Sequence, residues 1–219
     1  MTSTPNTPHH TIALFGGTGR TGQHVLDQAL AAGHSVRMLA RRPEAVAVAS
    51  DHLVVIGGDV LDAATVAETV KGADVVVSVF GHVKGSPSTL QTDGTRNIVA
   101  AMKELGLSRI ITLSGGGLPS KEHDRPKTAD KIIRFLLQRI SPQVLADAES
   151  HLEVLRESGL DWTVVRGPRL TDATPTGTYR VGWVGVNAST QIARGDLASF
   201  ILTQIDDRKF VHQLPFASR

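Results

Sequence analysis

The chain of 219 residues contains no cysteine and a single tyrosine. Without thiols there is no disulfide framework and no thiolate metal site, and a cytoplasmic setting is the natural expectation. The nine histidines do not fill that gap. They are scattered, His9 and His10 fall near the start, and no HExxH-like pair is present, so no metal is expected. No run of about 18 apolar residues occurs, which removes a membrane span and leaves no membrane partner expected. Charge is also scarce in net terms: 23 basic against 21 acidic residues give +2. That is too even a balance for a nucleic-acid binder, whose surface carries a basic stripe. Residues 1–10 lack a basic-then-apolar signal pattern and read as a flexible tail. Residues 11–219 suit one domain, expected as a monomer or weak oligomer.

What is present begins with the stretch Ile12-Ala13-Leu14-Phe15-Gly16-Gly17-Thr18-Gly19-Arg20-Thr21-Gly22. A short apolar strand stops at a glycine cluster, and a helical pattern with Val25, Leu26, Ala29 and Leu30 follows at once. In this G-x-x-G-x-x-G spacing Gly16 makes the tight turn and Gly19 admits backbone amides to a pyrophosphate. Gly22 lets the helix lie close on the sheet. The helix start adds unpaired N–H groups and the positive end of a dipole. A glycine-rich turn that binds nothing is the competing reading.

Gly33 stops that helix, and residues 34–40 form the second strand. Arg41-Arg42 follow without an acid. In dinucleotide folds an acid here bonds the ribose 2′-hydroxyl, whereas arginine accepts a 2′-phosphate, so NADP(H) is favoured. A solvated basic turn is the alternative. Residues 53–56 make a third strand ending at Gly57-Gly58-Asp59-Val60. There Asp59 can accept from an adenine amino group with Val60 against the ring; Asp59 as a helix cap is the alternative, though Asp62 is better placed.

Helix 63–70, strand 75–79, helix 88–105 and strand 109–113 continue the alternation. The long helix has Ile98, Val99, Met102 and Leu105 spaced for one buried face. Phe80-Gly81-His82 lie at the fourth strand's carboxyl tip, where such folds place ligands. Four strand–helix repeats predict a Rossmann α/β fold, a doubly wound parallel sheet with helices on both faces. A small substrate-side region is expected towards the C-terminus.

Beyond Ser114-Gly115-Gly116-Gly117 the pattern changes. Residues 119–126 read as a flexible loop over the cleft, and 127–139 as a helix with Ile132, Ile133, Leu136 and Leu137 apolar. Ser141-Pro142 opens another helix, with serine as N-cap. A sixth strand spans 162–166, Asp196 starts a helix, and residues 209–214 are a closing strand.

The glycine motif, Gly58-Asp59-Val60, residues 95–103 (TRNIVAAMK), 152–160 (LEVLRESGL) and 168–172 (PRLTD) resemble the atypical short-chain dehydrogenase/reductase group. The likeness is to members of the flavin reductase (NADPH) or biliverdin-IXβ reductase kind, with NmrA-like NADP-binding proteins as more distant relatives. The resemblance runs from about Thr11 to the C-terminus. It implies hydride transfer from NADP(H) to a flavin, quinone or tetrapyrrole. By position, Thr18, Gly19, Arg20, Thr21 and Gly22 hold the pyrophosphate and Arg41 the 2′-phosphate. Asp59 and Val60 take the adenine, Phe80 and Gly81 the ribose side, and Ser114 the nicotinamide and substrate. Arg42 is added on electrostatic grounds. Arg169 stands where the flavin reductase has a substrate-side histidine; it cannot shuttle a proton but can clamp an anionic acceptor.

Most short-chain dehydrogenases use a Tyr-x-x-x-Lys pair to protonate an alkoxide. Here the lone tyrosine is Tyr179 and position 183 is tryptophan. Hydride transfer to a flavin or quinone asks less, since the acceptor delocalises the charge and water supplies the proton. Ser114 and Arg169 are then the catalytic candidates, with strand-end capping and backbone bracing as their plainer roles. His82 and His123 read as solvated loop histidines, with contacts at the rim of the site as the alternative, and His123-x-x-x-Lys127 carries little weight as a relay. The rival to a flavin-reductase-type enzyme is a redox-sensing regulator that binds NADP(H) without turnover.

Overall fold

The computed structural model describes residues 8–219. Strands β1 (Thr11–Phe15), β2 (Ser35–Ala40), β3 (Leu53–Gly57), β4 (Val75–Ser78), β5 (Arg109–Gly115), β6 (Asp161–Gly167) and β10 (Phe216–Ser218) join β8 (Arg180–Gly182) in one sheet. The order is β3-β2-β1-β4-β5-β6-β10-β8, parallel except for the antiparallel β10–β8 pair. β7 (Arg169–Thr171) and β9 (Gln191–Ala193) pair separately. Strand order reverses between β1 and β4, so a crevice opens at their carboxyl ends.

The side-chain period of two sorts β1 cleanly. Ala13 and Phe15 enter one core with α2 (Ala63–Val70), α3 (Leu90–Glu104) and α5 (Pro142–Glu157). Ile12 and Leu14 enter the other with α1 (Arg20–Ala31) and α6 (Arg194–Thr203). On α3 the face Ile98, Val99, Met102 is buried, but Leu105 is the C-cap and 40% exposed. Gly33 ends α1 with φ +84°, its N–H bonding to Leu30. Asp62 caps α2, accepting from the Ala64 amide at 3.0 Å.

Two further expectations change. The closing strand does not occupy 209–214. Residues 209–212 are turn, Gln213 makes a lone bridge to Thr163, and the ladder resumes only after Pro215, which has no N–H to give. Ser141 precedes α5 with Pro142 in the first turn, yet its side chain makes no cap bond. Of the expected tail, residues 1–7 lie outside those described. His9 Nδ1 lies 2.9 Å from the Gly33 carbonyl, and His10 Nε2 lies 2.8 Å from Asp206.

Candidate functional site

A cavity of about 260 Å³ opens at the β1/β4 crevice, walled by Gly16, Thr18, Gly19, Arg41, Asp59, Val60, Phe80, Gly81 and His82 among others. Its shape follows from the glycines. Gly16 has φ +86°, and a Cβ on it would meet the Phe80 amide nitrogen at 2.5 Å, so the first turn lies backbone to backbone on the end of β4. A Cβ on Gly22 would fall 2.0 Å from the Gly16 carbonyl oxygen, which makes Gly22 the contact between helix and turn. Gly19 differs: a Cβ there meets only that same oxygen, at 3.3 Å. Gly19 is the N-cap of α1, no side chain caps the helix, and no acid sits in its first turn. The amides of that turn are therefore offered to an anion, the donor set a pyrophosphate needs.

The opposite wall is set by α3. A Cβ on Gly94 would meet the Phe80 ring at 2.8 Å and Val60 at 3.0 Å, so this glycine is where both side chains nest. Asn97 Nδ2 donates to the Val60 carbonyl at 3.0 Å. Asp59 accepts from the Leu61 amide through Oδ1 at 3.0 Å, a turn that spends one carboxylate oxygen and leaves the other for a ligand. Arg41 is exposed in the wall.

Six predicted residues lie outside that wall. Thr21 and Gly22 are buried beneath it, and Arg42 is exposed one step along, capping the 3-10 turn at Pro43–Ala45. Arg20 turns the other way, its Nη1 3.4 Å from Asp172. Ser114 is buried at the end of β5, paired in register with Arg166. Arg169 is exposed and donates from Nη2 to Gln191 Oε1 at 2.9 Å.

His82 lines the first cavity, where the sequence offered it as a rim contact and favoured a solvated loop instead. It is no solvated loop histidine: its side chain is 14% exposed and Nε2 lies 2.7 Å from Asp147 Oδ2. Asp147, on α5, is buried and also accepts from the Gln91 amide at 2.7 Å, the Thr92 amide at 3.0 Å and the Thr92 hydroxyl. Burial alone would push this carboxyl up. The bonds from the Thr92 hydroxyl, the two amides and His82 outweigh it and hold the group below the ordinary carboxylate value. The only hint in the sequence is the place of His82 at a strand tip. Behind it His151 is buried between the hydroxyls of Thr95 (2.8 Å) and Thr112 (3.2 Å). Desolvation lowers its pKa to about 4, so it is neutral near pH 7.

A second cavity, about 450 Å³, lies beyond the end of β5 between residues 116–126, Val184 and α4 (Thr128–Ile140). Lys121, Lys131, Arg134 and Phe135 line it. The loop over it is pinned. Arg166, wholly buried on β6, donates from Nη1 and Nη2 to the two oxygens of Asp124 at 2.8 and 2.9 Å. The same guanidinium reaches the carbonyls of Leu118 (2.7 Å) and Leu214 (2.9 Å). Asp124 in turn accepts from the amides of Ser120 and Val184. Burial raises the Asp124 carboxyl, but the Arg166 and amide bonds prevail and keep it below its usual value. His123, in this loop, stacks on Trp183 with ring centroids 4.1 Å apart. Tyr179 lies elsewhere, edge-on to Phe200 of α6 at 5.8 Å.

A family model for NAD(P)H-binding proteins matches residues 16–208. The chain belongs to that NAD(P)H-binding family. Its cofactor is accordingly NAD(P)H, and the wall just described fits the group: a cradle of free amides that a side chain at Gly19 would fill, with a guanidinium facing it.

Similar in fold is a short-chain dehydrogenase/reductase from Veillonella parvula in complex with NADP. It is 17% identical with a TM-score of 0.80, over 97% of this chain and 95% of that one. ChuY, an anaerobilin reductase from Escherichia coli O157:H7, is 19% identical with a TM-score of 0.75, over 95% and 96% of the two chains. An uncharacterised Mycobacterium tuberculosis protein is 36% identical over 112 residues. That match takes in 51% of this chain but spans only 13% of the mycobacterial protein's length.

Proposed function

We propose that this protein is an NADPH-dependent reductase of the flavin reductase type, passing hydride to flavins or other planar acceptors. The observation that carries this reading is the pairing of two cavities. One is a phosphate cradle at the β1/β4 switch point. The other, beyond the tip of β5, is lined by Lys121, Lys131 and Arg134 with Phe135 in its wall; its two carboxylates are engaged, Asp124 by Arg166 and Asp130 by the Lys127 amide. An aromatic ring and cations together suit a flat, anionic guest.

In the first cavity Thr18 and the amides following Gly19 hold the pyrophosphate. Arg41 takes the 2′-phosphate, the free oxygen of Asp59 the adenine amino group, and Val60 the ring face. Phe80 and Gly81 flank the ribose, and Ser114, outside this wall at the end of β5, meets the nicotinamide end. NADPH supplies the hydride when bound. The chain's own work is to orient the two flat partners and to place positive charge where the acceptor gains negative charge. Arg169 stands as a further clamp on the acceptor side. The one tyrosine packs against Phe200, so carbonyl reduction with a tyrosine acid finds no support in either wall. The anaerobilin reductase title of ChuY favours a tetrapyrrole among the acceptors to try first.

The test is NADPH consumption at the nicotinamide absorbance band with FMN, FAD, quinones and linear tetrapyrroles, repeated with NADH. Steady turnover with at least one planar acceptor is expected, faster with NADPH. Tight coenzyme binding with no turnover across that panel would instead make the protein a redox-sensing regulator.

A further inference from the structure

A surface helix ordinarily turns its apolar stripe inward and its charges to solvent. In α4 the arrangement is reversed. Asp130, Lys131, Arg134 and Gln138, with Phe135, line the second cavity. The other face stands in solvent: Ile132 is 55% exposed, Ile133 50%, Leu136 49% and Ile140 75%, and Val144 at the start of α5 extends the stripe. These positions repeat at three- and four-residue steps, so they form one continuous band. Contiguous apolar surface of this kind marks a place that something else covers.

Charge says what. Between residues 127 and 149 the cations are Lys127, Lys131, Arg134 and Arg139, against the acids Asp130, Glu149 and the buried Asp147. Asp130 is spent on the Lys127 amide at 2.8 Å, and Asp147 faces the interior at the start of α3. Lys127, Lys131 and Arg139 are exposed. Arg134 is half-buried, 3.8 Å from Glu149. A second copy packed symmetrically on this band would bring like charges together. An anionic surface with an apolar interior matches both features, because amphipathic helices with Lys and Arg beside the apolar stripe lie in the plane of lipid headgroups.

The geometry points to α4 as a docking helix for an anionic lipid surface. Its stripe Ile132, Ile133, Leu136 and Ile140 is immersed, and Lys127 and Arg139 meet lipid phosphates. No helix among the described residues is long and apolar enough to cross a membrane, so the attachment is peripheral. The mouth of the second cavity then lies beside the lipid phase, where flat apolar acceptors dissolve. The docking itself does not depend on the reductase reading.

The test is co-sedimentation of the full chain with phosphatidylcholine vesicles, plain or mixed with phosphatidylglycerol, alongside light scattering of the protein alone. Binding is expected to the mixed vesicles, little to the neutral ones, and less as salt rises. Ile132→Glu with Ile140→Glu should abolish it. Arg139→Glu should weaken it several-fold, the loss of one basic contact worth about 1 kcal/mol. All three positions lie outside both cavities, so unchanged NADPH binding shows that the variants are folded. Absence of binding to mixed vesicles overturns the proposal, as does equal binding by the Ile132/Ile140 variant. A wild-type dimer that this variant turns into a monomer assigns the band to a second copy instead.

Discussion

Arg41 and Arg42 are neighbours in sequence and part company in space. Arg41 faces the phosphate cradle, whereas Arg42 caps a 3-10 turn outside the wall. A charge-assisted bond is worth about 1.5–3 kcal/mol. Arg41→Glu should therefore weaken NADPH by about 10- to 150-fold on that basis, with NADH changing little. Arg42→Glu should leave both nearly untouched. Fluorescence titration with the two coenzymes checks this, and equal losses would mean the 2′-phosphate is bound elsewhere. The glycines divide in the same way. Gly22→Ala puts a Cβ 2.0 Å from backbone oxygen, and overpacking costs about 1–3 kcal/mol. That is a Tm lower by roughly 2–12 °C for a chain this size. Gly19→Val brings its Cβ against a single protein atom, the Gly16 carbonyl oxygen at 3.3 Å, so it should fold with a small loss of Tm, yet it fills the cradle and should lose coenzyme binding in the same titration. Motif spacing already assigns the two roles; what it does not give is which atom stands opposite each Cβ, and so the size of each penalty.

Most of the sheet was legible because its signals are local. β1 to β5 are short apolar runs, each stopped by glycine or polar residues, and α1 to α3 carry a 3.6-residue stripe. What escaped is what depends on distant partners. Nothing in Ile132, Ile133 and Leu136 tells that their stripe faces outward. Nothing near Arg166 or His82 announces Asp124 or Asp147. The start of α3 is the clearest case. Thr89 at its N-cap makes no side-chain cap bond, and Asp147 of α5 does the work from across the core, accepting from the second and third amides. Asp147→Asn should lower Tm, because it loses charge-assisted bonds to Thr92 and His82.

The pH dependence has a definite sign. A carboxyl held below its ordinary value stabilises fully above that value and loses the contribution as pH falls through the lowered one. The Tm of Asp147→Asn should thus approach that of the wild type below about pH 4, where the ordinary carboxylate titrates. His151 acts over a higher range. Its pKa falls from 6.5 to about 4, so the unfolded chain takes the proton first. Stability declines as pH drops across that interval, by at most about 3.5 kcal/mol. His151→Gln, which keeps a partner for Thr95 or Thr112, should flatten that part of the Tm curve.

The first cavity lies at the ends of β1 and β4 and the second, where we propose the acceptor binds, beyond β5; one ion pair ties the loop over the second cavity to the sheet. Arg166 rises from β6 to hold Asp124, and through it Ser120 and Val184, so the loop expected to be flexible is tied to the core. Removing one member of a buried pair strands the other and costs about 3–5 kcal/mol. Arg166→Met should then lower Tm by roughly 6–20 °C. Arg166→Met with Asp124→Leu leaves no stranded charge and should regain part of that loss, the rest staying with the Leu118 and Leu214 carbonyls and the Ser120 and Val184 amides that lose their partners. The cost to function is separable. The two cavities share no wall residue, so the double variant should keep wild-type NADPH affinity while the KM for a planar acceptor rises. A purely structural role for the pair predicts that stability and acceptor KM recover together. If NADPH affinity instead fell in step with acceptor KM, the loop would be shaping the coenzyme cleft as well, and the division of labour between the two cavities would fail.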